Sequence, residues 1–441
     1  MNSLLIDTWI RLRASYWFLP SIISISAVAT AVVAVQLDLH FGNNWVRNYP
    51  WLLANQPAGA RDLLSTLAAS AITVAGVTFS MTLLAVSHAS AQIGPRLLFD
   101  FMRDRGNQFT LGVFIATFLY CLIVLRTVQA GVAGDEINMA FVPHIAITVA
   151  VALAFLNVIV FIFFIHHVPR SISVTSVIAR VGDELANTVQ TIYPELLGSG
   201  SAGNTPGDEP AVDFEHNSVD LPVSASAGYF RVLDFEGLLA ITKEHDLVVE
   251  LKLAPGNFAL QGQTLMRAGP AQKMNSDIEH ELHSAISWGT ERTREQDVLF
   301  LVEQLIEILG KAMSPGVNGQ YTALLCVNQF ERALAEILSR KEPDSKRYDD
   351  EGELRVIAAP VSHKEFLLAI ILPVRQFVRG DWIVSSRVVE MMKRLSQLPE
   401  LSESKALLDE VSALINDDID SGPMAESEKL LLLGKRGIRS I

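Results

Sequence analysis

Two apolar segments, 63–87 and 109–128, lie close together in the chain with a charged connector between them. A helix rises 1.5 Å per residue, so about 20 residues cross the roughly 30 Å hydrocarbon layer of a bilayer. Both segments reach that length, and the first carries no charged residue at all. Two further runs, 17–37 and 140–168, complete a set of four. The expected fold class is therefore membrane α-helical, with a transmembrane domain over 1–170. Arg11 and Arg13 before the first run and Ala27, Ala29 and Ala31 within it imitate a secretion signal. The run exceeds the usual signal core of about 7–15 residues, so it is read as a retained anchor.

Composition divides the chain at the same place. Up to Arg170 there are nine Arg, no Lys and seven acids, a net charge of +2, while the remainder carries −15 of the total −13. An acidic soluble part does not suit nucleic acid, whose binding needs cations to replace its counterions. Arg11, Arg13, Arg96, Arg103, Arg105, Arg170 and Arg180 fall on one side of a four-span topology, and Asp135 and Glu136 on the other. By the positive-inside rule a multi-pass protein with both termini cytoplasmic is expected. Trp45, Tyr49 and Trp51, in the loop after span one, suit the outer interface.

Span two is chemically distinctive. Thr66, Ser70, Thr73, Gly76 and Ser80 fall near one helical face. Small and hydroxyl residues either let helices pack closely or line a narrow aqueous path, and both readings stay open here. The connector that follows sets Pro95, Arg96, Arg103 and Arg105 among apolar residues, as expected of an interfacial coupler between spans two and three. Arg126 stands near the outer end of span three, where it can reach the interface. Asn157, in span four, is expected to bond across helices. His166 and His167 point to different sides of a helix and make a poor shared metal site.

Beyond Arg170 the chain reads as a mixed, mainly helical α+β cytosolic domain. An amphipathic helical extension of span four occupies 171–197, and a flexible linker rich in Gly, Ser, Pro and Asp covers 198–222. A small β module is expected over 223–269, a helical domain over 270–420 and a C-terminal tail over 421–441. The helical domain includes expected helices at 276–288 and 295–313, and 354–358 reads as a short strand. Phosphate-loop, dinucleotide and nucleophile-elbow motifs are missing from the sequence, so an enzyme is not expected. His280 and His283 lack zinc-protease spacing, and Cys121 and Cys326 make neither a disulfide framework nor a metal set, so no metal or cofactor is expected. Arg292, Arg294 and Asn318 form a possible site for an anion or ligand.

Several of these stretches are similar to the signatures of a bacterial family of predicted inner-membrane proteins catalogued as a domain of unknown function. In the membrane part they are Thr73-Val74-Ala75-Gly76-Val77-Thr78-Phe79-Ser80, Gly94-Pro95-Arg96-Leu97-Leu98 and Arg103-Asp104-Arg105-Gly106-Asn107-Gln108. Phe141-Val142-Pro143-His144, Arg292-Thr293-Arg294-Glu295-Gln296-Asp297 and Met313-Ser314-Pro315-Gly316-Val317-Asn318 continue the likeness over nearly the whole chain. Family members typically continue Asn-Asp-Pro-Phe-Thr-Ala where this chain reads Asn318-Gly319-Gln320-Tyr321-Thr322-Ala323. The resemblance implies placement in a bacterial inner (plasma) membrane and a cytosolic C-terminal region, without an activity. The expected function is an oligomeric channel-like or transport-related protein with a cytosolic regulatory domain. The alternative is a membrane-anchored sensor or scaffold whose cytosolic domain binds a protein or small ligand. Expected partners are membrane lipids and further copies of the chain, and no nucleic acid.

Overall fold

The computed structural model describes residues 12, 15–41, 56–94, 104–129, 141–193, 217–294, 296–398, 401 and 404–433. The chain forms two compact units, divided between Ser173 and Val174. In the N-terminal unit, helices α1 (Phe18–Phe41), α2 (Pro57–Ile93), α3 (Arg105–Thr127) and α4 (His144–Ile172) each contain a stretch long and apolar enough to cross a membrane. They correspond to the four expected spans.

Helix α3 is the centre of this bundle and packs against α1, α2 and α4. Its span is 61% buried, against 22–28% for the other three. Small residues make this close packing possible. Ala31, Ala34, Ala60, Ala68, Ala146 and Ala150 surround the buried Tyr120, whose hydroxyl donates to the Ala146 carbonyl at 3.0 Å. A Cβ on Gly112 would stand 3.1 Å from the Pro20 Cα of α1. Thr117 donates to Asn157 Oδ1 at 3.2 Å, giving Asn157 its expected cross-helix bond. Val32, Val33, Phe155, Ile159 and Ile162 remain exposed on the outside, as lipid-facing positions do. Helix α4 continues through Pro169 before breaking at Ser173.

The C-terminal unit begins with α5 (Val174–Ile192), β1 (Val219–Pro222), β2 (Gly228–Leu233), α6 (Phe235–Glu244) and β3 (Val248–Leu251). It continues with β4 (Phe258–Ala259), β5 (Thr264–Gly269), α7 (Ser276–Ser284), β6 (Ile286–Gly289), α8 (Val298–Ala312) and α9 (Gln320–Leu338). Strands β7 (Lys346–Tyr348) and β8 (Leu354–Ala358) precede α10 (His363–Val378), α11 (Trp382–Gln397), α12 (Lys405–Ser421) and α13 (Glu426–Leu432). Helix α5 buries Val177, Ile178, Val181, Leu185 and Val189 and packs on α8 and α9, so its apolar stripe covers its own unit. Two sheets run in the orders β1-β5-β3-β8-β7 and β4-β2-β6, with β3–β8 the parallel pair. Their core joins Phe230, Leu247, Val249, Leu265, Met266 and Val356 to Leu238, Ile278 and Leu282 from the helices.

Several boundaries differ from the sequence reading. The β region does not end at residue 269, because β6 pairs with β2 and β8 inserts beside β3. The helix expected over 276–288 stops at Ser284, since Ile286–Gly289 pairs with β2 and brings the Trp288 ring 5.8 Å from that of Phe230. Residues 219–222 of the expected linker form β1 on β5, while 198–216 lie outside the described residues. The expected tail contains α13, with Met424 buried ahead of it and the Lys429 amine donating to the Asp420 carbonyl.

A charge cluster lies at one end of the strands of the larger sheet. Arg355 of β8 donates to Asp349 Oδ2 and to Asp246 Oδ1, each at 2.7 Å, and Lys273 reaches Asp246 Oδ2. Arg355 and Lys273 hold the Asp246 carboxyl down at about 2. A carboxylate lowered by folding stabilises the fold above its ordinary value near 3.8, and that contribution is lost as pH falls toward 2. Arg355→Gln also leaves the buried Asp349 without its cation, at a cost of about 3 kcal/mol at neutral pH. The expected stability difference from wild type, read by denaturant titration, is largest above about pH 4 and shrinks toward pH 2; a pH-independent difference contradicts it. In the bundle, Gly112→Leu should cost about 1–3 kcal/mol by overpacking, and an unchanged melting temperature in detergent would refute that contact.

Candidate functional site

Helix α2 has two unlike faces. Leu64, Ala68, Ala71, Ala75, Thr78, Thr82 and Val86 are buried, at helical spacings of three and four. Thr66, Ser70, Thr73, Gly76 and Ser80 are all exposed on the opposite side. A Cβ on Gly76 would meet nothing within 4 Å. The hydroxyls of Thr66, Ser70 and Thr73 donate to the carbonyls of Asp62, Thr66 and Ala69 at 2.8, 2.6 and 2.7 Å. With its proton committed to its own backbone, a hydroxyl presents only acceptor lone pairs outward. The face is therefore a ladder of oxygen acceptors, with the exposed Asp62 at its N-terminal end. Such a surface suits water or cations and repels anions.

Of the expected coupler, Pro95, Arg96 and Arg103 lie outside the described residues, and Arg105 is the exposed first residue of α3. Beside it the structure has a contact that sequence reading missed. Asp104 accepts from the N–H groups of Gly106 and Asn107 at 2.8 and 3.1 Å, capping α3. The same carboxylate oxygen lies 2.8 Å from His167 Nε2 of α4, whose ring stacks on Phe163 at 4.9 Å. Gly106 is required there, because a Cβ would stand 2.5 Å from His167 Nε2. The neighbouring His166 instead places Nδ1 3.0 Å from its own Ile162 carbonyl. An Asp just before an apolar run is an N-cap signal, but its pairing with His167 has no sequence signature.

A second missed residue is Asp38, 3% exposed near the end of α1. Its two carboxylate oxygens accept from the N–H groups of Ile145 and Ala146, each at 2.9 Å. Pro143 caps α4 without a side-chain bond, so Asp38 supplies from another helix the acceptor that Pro143 lacks. The two acids at span ends are thus structural.

Arg292, Arg294 and Asn318 are not brought together. Arg292 donates to Asp297 Oδ2 at 2.7 Å and to Glu303 Oε1 at 2.6 Å, and Arg294 donates to Glu184 Oε2 of α5 at 2.7 Å. Burial opposes the Arg292 charge, but Glu303 and Asp297 outweigh it and hold its pKa above the ordinary value. Thr293 donates to the Arg231 carbonyl, Gln296 exchanges two hydrogen bonds with the Leu233 backbone, and Asp297 caps α8. These residues fasten β2 and α5 to the start of α8. Asn318 is exposed in the turn after α8, in left-handed backbone (φ +48°), one α8 length or about 22 Å away. The expected anion site therefore does not assemble, and its arginines serve ion pairs instead. Among the described residues no group of His, Cys, Asp and Glu could hold a metal.

A bundle of four apolar helices followed by an α+β unit defines a polytopic membrane protein. The family described as "Predicted membrane protein (DUF2254)" matches residues 13–394, and the chain belongs to that family. It is 29% identical over 345 residues to uncharacterized proteins of Mycobacterium tuberculosis and Mycobacterium bovis. The match covers 77% of this chain and 64% of those relatives, so it leaves more than a third of their length unmatched. No solved structure matches.

Asp38→Ala would leave the Ile145 and Ala146 N–H groups unpaired at a buried helix start. The expected loss is about 2–3 kcal/mol, seen as a lower melting temperature in detergent; wild-type melting would show that the cap is dispensable.

Proposed function

We propose that this protein is an oligomeric, channel-like assembly in which the α2 helices of several copies enclose a polar path for water or cations, regulated by the C-terminal unit. One observation carries this reading. The small, hydroxyl-bearing face of α2 points away from the helices of its own bundle. One four-helix bundle offers no enclosed route along that face, whereas a ring of copies does. The acceptor ladder and Asp62 favour cations. Arginine placement supports cytoplasmic termini, and a cytoplasmic C-terminal unit would receive an intracellular signal.

The second reading is an anchored sensor or scaffold. It is favoured by the structural use of Asp38, Asp104 and His167, which leaves these groups bound into the bundle rather than free for coupled transport. Flux through reconstituted vesicles separates the two. Thr73→Leu and Ser80→Leu should abolish cation flux while leaving the subunit number unchanged. Wild-type flux in both variants would remove α2 from the path, and a monomer that passes nothing would leave the scaffold reading.

A further inference from the structure

Helix α3, buried along most of its length, has an open side near its start, between two close contacts. A Cβ on Gly106 would meet His167 of α4, and one on Gly112 would meet Pro20 and Ile23 of α1. At about 100° per residue these two directions stand about 120° apart around α3, and Arg105 and Phe109 fall in the sector between them. The rest of the circumference holds Asn107, Thr110, Leu111 and Phe114, all buried. Arg105 is exposed and Phe109 is 41% exposed, so α1 and α4 leave a groove here with these two residues on its floor. Asp38 joins α1 to α4 at the opposite end of the bundle.

The α4 wall repeats the order of the floor. Phe163, 44% exposed, stacks on His167, and Arg170 is exposed one turn beyond it. The Asp104–His167 contact brings the start of α3 level with the end of α4, so Arg105 and Arg170 stand at the same end of the bundle. Phe109 and Phe163 lie about 6 and 10 Å deeper along their helices. Charge at the rim with aromatic rings below matches the profile of a phospholipid, phosphate first and acyl chains beneath. Among the described residues neither guanidinium has an ion pair or a side-chain hydrogen bond, and Asp104 is turned to Gly106, Asn107 and His167. We propose that this groove holds one anionic phospholipid, its phosphate bound by Arg105 and Arg170 and an acyl chain laid over Phe109 and Phe163. Guanidinium groups suit phosphate because their planar forks offer paired donors. A zwitterionic lipid would set its own cation against both arginines, so the groove selects an anionic one.

The test titrates the purified full chain in detergent with phosphatidylglycerol or phosphatidylcholine and counts bound lipid by native mass spectrometry. Wild type should retain one phosphatidylglycerol per chain at concentrations where phosphatidylcholine is lost. Arg105→Gln and Arg170→Gln should each weaken that retention about tenfold. Arg126, exposed at the other end of α3, is the control: Arg126→Gln removes the same charge and should leave retention unchanged. Equal retention of the two lipids by wild type, or wild-type retention in both of the other variants, overturns the proposal. An equal loss in Arg126→Gln overturns it too, since that reports attraction to net charge alone. Displacement of the bound lipid by inorganic phosphate would reduce the groove to a phosphate site and overturns it as well.

Discussion

A helix that crosses a bilayer starts with four backbone N–H groups that have no carbonyl of their own to bond, and the surrounding hydrocarbon offers none. Two of the four spans meet this constraint with a carboxylate. Asp104 caps α3 from the residue before it, and Asp38 caps α4 from the end of α1. Because Asp38 belongs to one helix and the N–H groups to another, solving the backbone problem of α4 also fixes α1 to it. The Asp104–His167 contact does the same for α3 and α4 at the opposite end of the bundle. With its ends tied, the central α3 can rely on Gly112 and a lining of alanines for close packing along its length.

That arrangement frees α2. It packs on α3 and α4 through Leu64, Ala68, Ala71, Ala75, Thr78 and Thr82, and it leaves its other face with no partner inside the bundle. A lipid-facing surface would ordinarily carry large apolar residues, as α4 does at Phe155, Ile159 and Ile162. The Thr66–Ser80 face instead carries small and hydroxyl residues with Val77 among them, and the hydroxyls of Thr66, Ser70 and Thr73 donate to their own helix. It is therefore a surface prepared for contact with something polar or with another close-packed helix. The assembly proposed above supplies both.

The spans were legible in the sequence because an uninterrupted apolar run of about 20 residues has few other uses. The cross-helix role of Asn157 and the apolar stripe of α5 were legible for similar reasons, since each is a local pattern with one physical solution. What stayed hidden depended on partners distant in sequence. Ile286–Gly289 reads as the end of a helix until β2 is seen beside it, and β8 lies about a hundred residues from the β3 it pairs with. Asp38 stands just past the apolar run 17–37, and its acceptor role is set by residues more than a hundred positions later. Arg292 and Arg294 look like available cations in the sequence, which does not show Glu184 and Glu303 beside them.

If the exposed hydroxyl face of α2 meets water rather than lipid, a thiol placed on it is open to aqueous reagents. Thr73→Cys and Ile72→Cys sit on adjacent positions of the same helix, and both are exposed in the single bundle. In vesicles, a charged, water-soluble thiol reagent should modify position 73 and leave position 72 untouched. Protection of both positions would rule out the polar path and return α2 to the lipid or to a dry helix interface.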